Sequence, residues 1–252
     1  MPSFDQAPDK PVPFGYKVSW FAVRALEPAE VVAALEFGRG TPANWASGLA
    51  AALPFPTSDT WVFVSPPVSG WVLVVGAPHV LPYPVAPTER FHDIGRKFDV
   101  LFSRLMKRFA DAQFFGSHRV VSFVAWARAQ NSEPKRIFAY ADSEVLANVG
   151  EQTPEEAQLK FANLSGLSPS AAGDRIVQIA ERQEAEEDSL VAQGISRRDA
   201  GERVQQGGGS FPDERDVVDL FALWSIDPRQ LPNQDHSLGL GLAARMPNNL
   251  MQ

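Results

Sequence analysis

Residues 60–76, Thr-Trp-Val-Phe-Val-Ser-Pro-Pro-Val-Ser-Gly-Trp-Val-Leu-Val-Val-Gly, constrain the fold more than any other stretch. Two runs of β-branched and aromatic residues flank a turn made of Pro66, Pro67, Val68, Ser69 and Gly70, the pattern of a β-hairpin. Neither run alternates apolar with polar side chains, so both strands are expected to be covered on both faces.

Other segments add strands in groups. Residues 16–24 alternate Val18, Trp20 and Ala22 against Lys17, Ser19 and Phe21, which reads as a strand with Phe21 partly covering the second face. Three more strands are expected at 112–115, 119–129 and 136–141, with a short one at 145–149. Residues 116–118 would break the first two apart. Between these groups lies the strongest helix, 91–110. There Ile94, Phe98, Leu101, Phe102, Leu105 and Phe109 recur at three- and four-residue steps and form one apolar stripe. Short helices are expected from Pro28 to Phe37 and from Thr41, as cap, to about Leu53. Thr153-Pro154-Glu155-Glu156 has the form of a capping box opening a helix. Ser168-Pro169 opens another, and Asp213 caps the last, with Val217, Leu220, Phe221 and Trp224 on its inner side.

Strand groups separated by a long helix favour an α+β fold over a doubly wound one. The expected fold is a largely antiparallel sheet with a long packed helix and a helical C-terminal part. The expected layout is a flexible lead over 1–14, a main domain over 15–228 and an irregular tail over 229–252. Within the domain, the glycine-containing segment 190–212 is expected to be mobile.

Several chemistries are set aside by composition and spacing. The chain has no cysteine, which removes disulfides, zinc–thiolate sites and cysteine nucleophiles. Thirty acidic side chains against twenty-three Lys and Arg leave a net charge of −7, the wrong sign for a nucleic-acid partner. The opening residues lack the basic start and apolar stretch of a secretory signal. The apolar runs near 71–77 and 120–127 fall short of the roughly 20 residues that span a bilayer, so a cytoplasmic protein without a membrane partner is expected. The four histidines, His79, His92, His118 and His236, show no metal-binding spacing, and neither a metal nor a cofactor is expected. No G-x-S-x-G or phosphate-loop motif occurs. Ser117 and His118 are adjacent, which on a strand points them to opposite faces. A bulged turn with solvent-facing His118 is expected there. The Gly239-x-Gly241 pair follows no expected strand and is set aside. The basic residues of the 91–110 helix, Lys97 among them, read as a solvated outer face.

Two surface features could bind a protein. Tyr83, in a proline-dense loop over 77–87, would serve as an exposed anchor. Glu181, Glu184, Glu186, Glu187 and Asp188 crowd what reads as a helix C-terminus, where negative charge opposes the helix dipole. A basic partner would relieve it; a frayed, solvated helix end would also do so.

Residues 15–23, 61–76, 114–121 and 224–228 together resemble a set found in uncharacterised bacterial proteins. Proteins of that kind are candidate immunity factors of polymorphic or type VI secreted toxins. The resemblance implies a non-enzymatic cytosolic protein that neutralises a cognate toxin by occlusion, and it carries over no catalytic residue. The alternative is an enzyme or small-molecule-binding protein with a site assembled from scattered residues near His118, Arg119 and Asp142.

Overall fold

The computed structural model describes residues 3–53, 60–86, 92–207, 209, 211–236 and 238–247. Its centre is one sheet of nine strands: β1 (Ser19–Arg24), β2 (Thr41–Ala43), β3 (Trp61–Val64), β4 (Trp71–Gly76), β5 (Asp111–His118), β6 (Phe123–Gln130), β7 (Glu133–Ala141), β8 (Glu144–Gly150) and β9 (Gly241–Arg245). Their spatial order is β2-β9-β3-β4-β1-β5-β6-β7-β8, and every pairing is antiparallel. Among the described residues seven helices pack around it: α1 (Pro28–Leu35), α2 (Trp45–Ala52), α3 (His92–Arg108), α4 (Pro154–Gln158), α5 (Pro169–Ala192), α6 (Arg197–Gln206) and α7 (Glu214–Trp224). The expected α+β class with an antiparallel sheet is what the chain forms.

Alternation along the strands feeds two cores, one on each face of the sheet. On β1, Phe21 and Val23 point into a core that also takes α1 and the α3 residues Phe98, Leu101, Phe102, Leu105 and Phe109. Val18, Trp20 and Ala22 point into the other, built with α2 and the α7 residues Val217, Leu220, Phe221 and Trp224. β4 is buried along its whole length, as its unbroken apolar run requires. Successive positive φ angles at Asn131-Ser132 and Asp142-Ser143 make tight two-residue turns at both ends of β7, the geometry that matches strand twist in a hairpin.

Several elements differ from the sequence expectation. Thr41 and Pro42 belong to strand β2, and α2 starts at Trp45 with Asn44 as its cap, its side chain accepting from the Ser47 amide. The described part of the lead is packed, not free. The Asp9 carboxylate accepts from the Trp45 and Ala46 amides at 2.7 and 2.9 Å, the Asn44 amide donates to Asp5 O, and Phe4 meets Trp61 edge-on. The segment 190–212 is not a loose loop among its described residues, because α5 runs on to Ala192 and α6 follows at once. Pro87 and Phe91, where the proline loop and the long helix were expected to meet, lie outside the described residues.

The largest difference is the tail. Instead of being irregular it supplies β9, inserted between β2 and β3. Gly241 permits this insertion: a Cβ there would lie 2.4 Å from Val64 O and 2.6 Å from the Phe63 ring. A Cβ on Gly48 of α2 would lie 2.1 Å from the same ring. Phe63 therefore packs against two glycines, with Trp45 edge-on at 5.4 Å.

Candidate functional site

The antiparallel order brings particular strand ends together. Ser19 at the start of β1 lies opposite both Gly76 at the end of β4 and Gly116 near the end of β5. His118 faces Phe123 across the β5–β6 pair, and Tyr140 lies beside Val124. The ends of β4, β5, β7 and β9 thus meet at one end of the sheet. There a pocket of about 540 Å³ opens. That lies within the roughly 300–1,000 Å³ usual for small-molecule sites.

The pocket is built from five segments. The loop after β4 gives His79, Val80, Leu81 and Tyr83; α3 gives Ile94 and Lys97; the β5–β6 junction gives His118, Val121 and Phe123. Ala141 and Asp142 come from the β7–β8 turn, and Met246 follows β9. The Asp142 amide donates to Val121 O at 3.1 Å and joins the two turns. Its walls are apolar, with Tyr83 packed on Phe123 at a centroid distance of 4.7 Å. Lys97 and His118 are half-buried, whereas His79 and Asp142 are exposed at the rim. None of these four side chains makes a hydrogen bond or ion pair with another described residue.

His118 and Asp142, expected to belong to one site, do line one pocket. His118 does not sit on a bulged turn in solvent. Residues 116–118 continue β5 in register with β6, and a short 3-10 turn at Arg119–Val121 follows. Arg119 itself does not line the pocket. Ser117 faces away from His118, as strand alternation demands, and its Oγ lies 3.4 Å from Glu214 Oε1 on the far face. Tyr83 is a half-buried wall of the pocket and not an exposed anchor. Lys97 and His79 were missed as site residues. Lys97 reads in sequence as part of a solvated face, and only the docking of α3 on the sheet turns it inward.

The acidic run sits elsewhere. It lies within α5, which packs near the β8 edge, and not at a frayed end as expected. Arg197 of α6 pairs with Glu187 at 3.4 Å and with Asp188 at 2.9 Å. Glu181, Glu184 and Glu186 remain exposed. The structure does not bring this run and Tyr83 into one site.

Behind α5 lies the principal buried charge network. Glu156 takes hydrogen bonds from Trp126 Nε1 and Arg136 Nε, both 2.9 Å, while its other oxygen accepts from the Thr153 amide. Arg136 also donates to Asn148 Oδ1 at 2.7 Å, and Asn148 in turn donates to the carbonyls of Leu164 and Leu167. Each charge is paired and hydrogen-bonded, which is the condition for burying one. This network ties the helical part to the sheet and takes the expected capping box into the core.

Among the described residues no group of three or more His, Asp or Glu side chains is placed to hold a metal ion. No helix among them is long and apolar enough to cross a membrane. No family model, curated protein or solved structure matches the chain.

Proposed function

We propose that this protein binds a small molecule in the pocket formed by the ends of β4, β5 and β7. The observation that carries this is the pocket itself: about 540 Å³ of apolar-walled space, with His118, Lys97 and Asp142 around it unpaired among the described residues. Apolar walls supply binding energy and a few polar groups fix orientation, the usual division of labour in such sites. A thermal-shift screen against a metabolite library tests it, with Val121→Trp as the partner variant. Val121 is exposed at the pocket edge, so the indole should fill the mouth without entering the core. Compounds that raise Tm in the wild type and not in the variant are expected. A library without such compounds would count against the proposal.

A second proposal keeps the toxin-neutralising role in the cytoplasm. It is favoured by the exposed Glu181, Glu184 and Glu186 on α5, with Val177 exposed earlier on the same helix. A basic effector surface would suit this face, since complementary charge speeds and orients docking. Pull-down of the tagged protein from its native cytosol should return one stoichiometric partner that is lost from the triple Glu→Lys variant at these positions. Recovery of the same partner by the variant would exclude this face.

A further inference from the structure

Resting on the reading of the pocket as a ligand site, we infer that its ligand is a small organic carboxylate with an apolar body, its acid group held by Lys97 and His118. The argument is one of depth and sign. The charged and imidazole side chains among its described lining residues are one lysine, two histidines and one aspartate. The two that are half-buried, Lys97 and His118, can both donate hydrogen bonds, and Lys97 carries a full positive charge. The one carboxylate among the described lining residues, Asp142, is exposed on the β7–β8 turn, where water screens it. A charge inside the pocket therefore meets a cation first and a screened anion second.

Neither donor is engaged by another described side chain. Among the described residues Lys97 is not tied to an acidic neighbour, as Arg104 is to Glu36 or Arg108 to Glu30 on the same helix. An incoming carboxylate would give the Lys97 ammonium a charge-assisted hydrogen bond. The remaining lining explains the apolar body. Val80, Leu81, Ile94, Phe123 and Met246 offer only carbon and sulfur surface. A purely polar anion such as phosphate would leave this wall uncovered, and an ammonium-headed molecule would meet Lys97 with the wrong sign.

Three probes with one ten-carbon chain and different head groups separate the possibilities: decanoate, decan-1-ol and decylammonium. Each is titrated calorimetrically at pH 7, below its aggregation concentration, into wild type, Lys97→Met and Val121→Trp. Lys97→Met keeps most of the apolar stem and removes the charge. Decanoate is expected to bind wild type at least tenfold more tightly than the other two. Lys97→Met should erase that preference while leaving decan-1-ol unchanged, and Val121→Trp should weaken all three. If decan-1-ol or decylammonium equals decanoate in wild type, or if Lys97→Met keeps the preference, the carboxylate assignment is wrong while the pocket reading stands. If no probe binds, both fall.

Discussion

Removing the Glu156 side chain should be the most damaging single truncation outside the apolar cores. Its carboxylate and the Arg136 guanidinium are 2% and 3% exposed. Glu156→Ala would leave a buried cation whose remaining partners are Asn148 Oδ1 and the Ile137 and Val149 carbonyls. It would also orphan Trp126 Nε1 and the Thr153 amide. Breaking a buried pair from one side costs about 3–5 kcal/mol, a large share of the roughly 5–15 kcal/mol that holds a domain together. With a urea m-value of about 3 kcal/mol/M, the midpoint should fall by roughly 1–1.7 M. Urea unfolding followed by tryptophan fluorescence and far-UV circular dichroism measures it. Arg136→Met combined with Glu156→Leu removes both charges and should recover most of the loss, because no uncompensated ion remains. A midpoint drop below about 0.3 M for Glu156→Ala, roughly a quarter of what breaking a buried pair should cost, would refute the reasoning. So would a double variant no more stable than the single one.

Other substitutions probe different parts of the structure. Gly48→Ala would normally favour a helix by up to about 1 kcal/mol. Here the new Cβ would lie 2.1 Å from the Phe63 ring, so a net loss of about 1–3 kcal/mol is expected in urea unfolding. Deleting residues 241–252 removes β9 from between β2 and β3 and should abolish cooperative unfolding; a variant that unfolds like wild type would show that the tail strand is dispensable. Arg197→Ala should cost less than about 1 kcal/mol, since its pairs with Glu187 and Asp188 are largely in solvent. Burial pushes the Asp216 carboxyl above the ordinary carboxylate range, with the charges of Asp213 and Asp219 adding to the rise. A carboxyl raised in the folded state favours folding most below its unfolded value, and that contribution is lost as pH rises through the folded value. Asp216→Asn should therefore raise Tm relative to wild type at pH 7, and the advantage should shrink toward pH 3.

The class of fold was legible because it rests on local signals. The hairpin over 60–76, the apolar stripe of α3 and the caps at Thr153, Ser168 and Asp213 each declare themselves within a few residues. β9 did not. Gly-Leu-Ala-Ala-Arg has little intrinsic preference for a strand, and its conformation comes from pairing with β2 on one side and β3 on the other. The lead failed for the same reason: Asp9 is a polar residue in a proline-rich stretch until α2 is present to be capped. The site was half legible. The sequence offers His118 and Asp142, with Arg119, only as scattered residues, and the strand order brings the first two to one pocket. Lys97, His79 and Met246 come from segments well separated in sequence, and only the strand order and the docking of α3 place them on the same pocket. Arg136 was similarly hidden, since nothing local distinguishes a strand arginine with a buried carboxylate partner from one in solvent.

The most direct test of ligand binding uses the methionines. The chain has four; Met246 lines the pocket, whereas Met106 packs against the core on α3 away from it. Protein labelled with carbon-13 at the methionine methyls gives a spectrum simple enough to follow each signal during titration. On adding decanoate, and then the compounds selected by thermal shift, the Met246 methyl should move saturably while Met106 stays in place, and Val121→Trp should abolish the movement. A Met246 signal that stays still in wild type, or moves equally in Val121→Trp, would contradict a ligand site in this pocket.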